Sequence, residues 1–253
     1  MQALAGASLL AVDDDTGALF VHRWTASELT RRWALAGRGS ELTVAHRNAA
    51  AYWQWRVDVW PQDRHADIND LLETRHHLLA AGDHDAAVAL TEGICAQLDQ
   101  WGALDQETAL IHSTLALLPE QDDRRSPWLH QLGILAQLRG DYEEAERRYR
   151  QSLEIEERLG DQAGAASTLS QTGLLQSASG RPDAAVLPHV RALSIRLGLG
   201  AHQAQIDIRA LQRLRTQLGD APLIETLRNV LDETSQANLM TLLDDQEPPA
   251  SPV

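Results

Sequence analysis

The chain has 253 residues, 43% hydrophobic but only 4% aromatic, with 22 basic against 36 acidic residues. A net charge of −14 argues against general binding to nucleic-acid phosphates, which needs clustered cations. The single cysteine, Cys95, excludes an intramolecular disulfide, and no run of about 18 apolar residues is available to cross a membrane. All the basic residues are arginine, which reads as a coding bias before it reads as selection for bidentate contacts. Met1–Val12 has no basic stretch ahead of its apolar run, so no secretory signal is expected and a cytoplasmic location is.

The first elements are short. Ser8–Val12 and Ala18–His22 are β-prone runs around the turn cluster Asp13-Asp14-Asp15-Thr16-Gly17, which predicts a β-hairpin. Thr25-Ala26-Ser27-Glu28 has the form of a capping box and predicts a helix to about Ala36. Gly37-Arg38-Gly39-Ser40 breaks it. A second helix from Glu41 carries Leu42, Ala49, Trp53, Val57 and Trp60 on one stripe and ends at Pro61. Five of the seven tryptophans fall here, and they are expected to pack against the rest of the chain or a partner.

Beyond residue 62 the pattern is helical throughout. Helices are predicted at about 67–81, 84–100, 104–118, 126–139, 142–158, 165–179, 182–197, 202–218, 221–231 and 233–244. Within them the chain repeats itself at a spacing near 40. Gly133 corresponds to Gly173, Leu135 to Leu175, Gly140 to Gly180, Ala145 to Ala185, Ser152 to Ala192 and Ile155 to Ile195. Gly140 and Gly180 are read as helix ends, Asp141 as the cap of the next helix, and Pro182 as its first turn. Gly133, Gly173, Ala145, Ala185, Ser152 and Ala192 are the small residues that let paired helices approach closely.

Leu132-Gly133, Gly140-Asp141-Tyr142, Ala145, Tyr149 and Ser152 together resemble the small/large signature of tetratricopeptide repeats. The resemblance extends through Trp101-Gly102 with Pro119 and through Leu218-Gly219. It implies an all-α solenoid of helical hairpins that holds another protein or peptide, with no catalysis and no cofactor. It also implies that the first helix of each hairpin lines a concave groove. That places His130, Gln131 and Gln137 from one repeat, Ser170, Gln171 and Ser177 from the next, and Arg209 and Arg213 from the last on the binding face. The two arginines suit an acidic group on the ligand, or else pair with Glu225 or Asp207 nearby.

The N-terminal stretch is similar to the final hairpin of the winged-helix domain in bacterial signalling ATPases of the STAND type, which tetratricopeptide repeats often follow. In that family an apolar-His-acid triplet ends the hairpin and its His senses bound ADP. Here the triplet is Val21-His22-Arg23, with arginine in place of the acid. No GxxxxGK[ST] phosphate loop occurs, so no nucleotide is expected to bind this chain alone.

Other chemistry is sparse. No HExxH, GxSxG, paired-cysteine or GxGxxG pattern occurs. His76, His77 and His84 are the nearest approach to a metal cluster but straddle a helix break, so solvated or packing roles are expected. Glu143-Glu144 and Glu154–Glu157 are read as exposed faces supported by nearby arginines, and Asp122-Asp123-Arg124-Arg125 as a linker. The expected organisation is a hairpin-plus-helices adaptor, a winged-helix remnant, over 1–62, a solenoid over 63–245 and a disordered tail over 246–253. The expected function is a protein-binding scaffold or sensor of a signalling system, with a transcription regulator or an unrecognised enzyme as the rival readings.

Overall fold

The computed structural model describes residues 10–12, 19–21, 23–228 and 231–244. They form two compact units, over residues 1–103 and 104–253.

The first unit corrects the predicted fold class. A β-hairpin is expected as one of its parts, but the architecture of the described residues is built from helices, and no sheet contributes to it beyond one short strand pair. The strand content is one ladder of three-residue segments, β1 (Leu10–Val12) antiparallel to β2 (Leu19–Val21), with Ala11 opposite Phe20. So short a pair falls below what a hairpin needs to persist in water, and among the described residues no helix layer is built on it. The turn cluster 13–18 and His22 lie outside the described residues.

Helix α1 (Arg23–Leu35) starts two residues ahead of the expected Thr25 cap. Glu28 is not a capping residue: its carboxylate accepts from Arg31 and Arg32 at 2.8 and 2.7 Å. Helix α2 (Gly39–Val59) packs on α3 (Arg64–Ala81), and its fully buried residue is Ala50. The expected stripe is therefore turned: Leu42, Ala49, Trp53 and Val57 are half-buried, while Trp60 is 69% exposed. The reason lies in the contact itself, which uses a small residue for close approach and polar partners beside it. His46 Nδ1 lies 2.9 Å from His77 Nδ1, and Arg56 pairs with Asp70 at 2.7 Å. Asp63 starts α3 earlier than expected, its carboxylate accepting from the amides of His65 and Ala66. Helix α4 (His84–Gln100) follows a tight turn, and Arg75 Nε reaches across to Thr91 Oγ1 at 2.8 Å. Cys95 is buried within α4.

The second unit contains α5 (Leu104–Leu115), α6 (Arg125–Leu138), α7 (Tyr142–Leu159), α8 (Gln162–Ala178), α9 (Pro182–Gly198), α10 (Ala204–Leu218), α11 (Asp220–Arg228) and α12 (Glu233–Asp244). Helices α6 and α7 form one hairpin, α8 and α9 the next, and α8 also packs on α7 while α10 packs on α9. The turns need left-handed backbone, and Gly140 (φ 77°) and Gly180 (φ 76°) supply it where other residues would be strained. Asp141 accepts from the Glu144 amide and Asp161 from the Gly164 amide, which fixes the starts of α7 and α8. The expected linker over 122–125 does more than connect. Arg125 donates to the carbonyls of Leu115 and Leu118 at 2.8 and 2.9 Å, closing the end of α5.

Inside each hairpin the small residues do what their spacing implies. Gly133 faces the ring of Tyr149, and Gly173 faces the ring of His189. Ala145, Ala185 and Ala192 are fully buried between helices. One apolar cluster runs from Val186, Val190 and Leu193 through Ile208 and Leu211 to Leu223, Leu227 and Leu239.

Candidate functional site

Two buried polar networks link neighbouring helices of the second unit. In the first, Glu156 of α7 is 4% exposed, against the solvated face expected of its stretch. Its Oε1 accepts from Ser126 of α6 and Ser152 of α7, both at 2.9 Å, and from Thr168 of α8 at 3.0 Å. The inward face of α7 runs Ala145, Tyr149, Ser152, Glu156, at spacings of three and four. That phase is the signal that distinguishes Glu156 from Glu154 and Glu157.

The second network lies one repeat on. Asp207 of α10 has no exposed surface. It accepts from Ser170 of α8 at 2.7 Å, is 2.9 Å from His189 Nδ1 of α9, and pairs with Arg196 of α9. Arg196 also donates to Ser170 at 2.8 Å. Glu156 and Arg196 stand forty positions apart in sequence, at matching places in successive hairpins, as Thr168 and Asp207 do thirty-nine apart. The donor and acceptor ends are reversed between the two.

The residues expected on the groove divide into three groups. His130, Gln131 and Gln137 are half-buried and engaged: His130 Nδ1 with Thr168 Oγ1 at 2.8 Å, Gln131 Nε2 with Glu107 Oε1 at 2.8 Å, and Gln137 Oε1 with the Tyr149 hydroxyl at 3.1 Å. Burial holds the His130 imidazole below its ordinary pKa, with Glu156 opposing. Gln171 and Ser177 are half-buried and make no side-chain hydrogen bond among the described residues. Ser170 does not reach the surface, because the Asp207 network encloses its hydroxyl.

Arg209 and Arg213 are different. Both are exposed on α10 and hold no ion pair among the described residues. Their suggested partners are taken, Asp207 by Arg196 and Glu225 by Arg228. Every other arginine between residues 104 and 244 is bonded to a carboxylate or, for Arg125, to carbonyls. On a chain so acidic, two cations one helical turn apart without a carboxylate stand out. In the first unit, His77 lies against His46 rather than His84. Among the described residues, no helix is long and apolar enough to cross a membrane.

The sequence profile of the tetratricopeptide repeat family matches residues 124–197, the stretch that holds both hairpins with the Gly133 and Gly173 contacts. No curated protein sequence matches the chain. Among solved structures, the MamA protein shares 12% identity over 84% of this chain and 100% of its own, at a TM-score of 0.50. BtubC (BKLC) from P. vanneervenii shares 18% identity over 85% of this chain and 96% of its own, at a TM-score of 0.49. At such identities the likeness concerns the fold alone. The chain is thus an all-helical protein with tetratricopeptide-like repeats at its centre, and the winged-helix and signalling-ATPase resemblance of its N-terminal stretch has no counterpart among these matches.

Proposed function

We propose that this chain is a non-catalytic scaffold that holds a protein or peptide partner on the first helices of its hairpins, with Arg209 and Arg213 meeting an acidic group of that partner. The observation that carries the reading is the pairing pattern: these two arginines are exposed and hold no ion pair among the described residues, while the other arginines of 104–244 are bonded. Arginine side chains recognise carboxylates by charge-assisted, often bidentate, hydrogen bonds. A helical repeat stack suits this role because it offers an extended surface without requiring one compact core. The signalling-ATPase setting is not part of the proposal.

The test begins with affinity capture using the intact chain, then calorimetry on the captured partner or its tiled peptides. Arg209→Ala with Arg213→Ala weakens that affinity by at least about 1.5 kcal/mol. Arg147→Ala with Arg148→Ala leaves it unchanged, since those side chains are tied to Glu144. Unchanged affinity in the first pair, with helical circular dichroism intact, overturns the assignment.

A further inference from the structure

Helix α2 is apolar on two faces. One seats Ala50 against α3, with the His46–His77 and Arg56–Asp70 contacts beside it. The other presents Val44, Tyr52, Trp55 and Val59, which are 53%, 53%, 48% and 62% exposed. At one residue per 100° these four share a stripe with Asn48 and Ala51, also exposed, on the side of the helix away from Ala50. Between Val44 and Val59 the stripe contains no charged side chain, although the chain has a net charge of −14. A helix apolar on both sides is ordinarily covered on both, and a contiguous apolar stripe marks an interaction surface.

We propose that this stripe is the interface of a homodimer, in which α2 of one molecule lies antiparallel on α2 of a second copy. The inference goes beyond the scaffold reading and does not depend on it, because α2 contains neither the hairpins of 124–197 nor Arg209 and Arg213.

Two patterns select a second copy as the occupant. A two-fold contact is self-complementary: if one residue meets another, the second meets the first. About a midpoint between Ala51 and Tyr52, antiparallel pairing sets Tyr52 on the second copy's Ala51, Trp55 on its Asn48 and Val44 on its Val59. Each ring thus meets a smaller side chain, and each end closes valine on valine.

Charge gives the second pattern. Arg47 and Asp58 are exposed along the same edge of the stripe, one on each side of that midpoint. The same two-fold brings Arg47 of each copy toward Asp58 of the other, so the edge pairs with itself twice. Arg47 uses Nε and Nη2 on Asp83, which leaves Nη1 for a second carboxylate, and Asp58 Oδ1 accepts from the neutral Gln54 amide at 2.9 Å. Parallel pairing would instead set Trp55 on Trp55, arginine on arginine and aspartate on aspartate. A foreign partner imposes no two-fold on α2, so neither pattern would need a midpoint, still less the same one.

The test is sedimentation equilibrium on the full chain from about 1 to 500 μM. A contact one helix long gives a reversible dimer with a Kd on the order of 10 μM. Trp55→Glu, at an exposed position, raises that constant at least tenfold while helical circular dichroism stays intact. Should Trp55→Glu unfold, Val59→Glu at the end of the stripe replaces it, with the same expected loss. Direction is read with single cysteines and a short bis-maleimide linker. Ala51→Cys places two thiols beside the two-fold axis and is bridged. Val44→Cys places them about 22 Å apart along the antiparallel helices and is not. A chain that stays monomeric throughout overturns the proposal, whatever else binds the stripe. So does a dimer that survives the glutamate variant, or bridging of Val44→Cys as readily as Ala51→Cys.

Discussion

A Cβ on Gly133 would lie 2.5 Å from Cδ1 of Tyr149, inside any tolerable carbon–carbon distance. Tyr149 is 1% exposed, so its ring has nowhere to retreat. Gly133→Ala therefore overpacks the α6–α7 contact and lowers stability in urea melts by about 1–3 kcal/mol. A Cβ on Gly93, in the interior of α4, would meet no atom within 4 Å. Gly93→Ala gives the opposite sign, a gain of about 0.5–1 kcal/mol from helix propensity.

Ala145 and Ala185 are both fully buried where paired helices meet. Ala145→Leu or Ala185→Leu costs about 1–3 kcal/mol by the same melts. Glu143 is exposed on α7, and Glu143→Leu changes stability by less than about 0.5 kcal/mol. Equal losses at the three positions contradict the assigned faces.

Removing Asp207 strands the Arg196 guanidinium in the interior. Asp207→Ala costs about 3–5 kcal/mol, whereas Asp207→Leu combined with Arg196→Leu recovers much of that loss because no lone charge remains buried. Chemical denaturation of the two variants checks this. The exposed pair Arg191–Glu157 is the comparison, and Arg191→Ala costs under about 1 kcal/mol.

His46 and His77 touch through their Nδ1 atoms, and burial lowers both below the ordinary histidine value of 6.5. The neighbouring His76 pushes both the same way, while Glu73 pulls His77 back. A base whose folded pKa is depressed binds protons more readily when unfolded, so the folded state loses stability as pH falls below 6.5 toward the folded pKa. The urea midpoint of the first unit drops between about pH 7.5 and pH 5.5, and His77→Gln makes that dependence shallower. A midpoint that rises on acidification contradicts the contact.

What the sequence makes legible is whatever the backbone itself demands. Gly140 and Gly180 have to be glycine for their positive φ, and Gly133 and Gly173 have to be small for a ring to fit, so both pairs repeat visibly. Charge is harder. Glu156 sits in a run of glutamates whose composition signals solvent, and only its phase with Ala145, Tyr149 and Ser152 marks it as inward. Trp60 misleads in the reverse sense: an aromatic in step with a predicted stripe is exposed because α2 meets α3 through Ala50 instead. Asp63 hides as a cap because Pro61 draws the boundary first. That Arg209 and Arg213 hold no ion pair among the described residues is not legible at all, because pairing depends on which carboxylates other helices have already claimed.

The reversed donor and acceptor ends of the two buried networks give the hairpins an order. If α8 and α9 were looped out so that α7 met α10, Glu156 would confront Asp207 and two carboxylates would share one dry site. If α9 of one molecule docked on α8 of another in place of α10, Arg196 would find the hydroxyl of Thr168 where it needs the charge of Asp207. Repeats of one architecture invite such swaps during folding and between crowded copies. The polarity of each joint works as a key that admits only its neighbour, so the sequence order of hairpins becomes their spatial order.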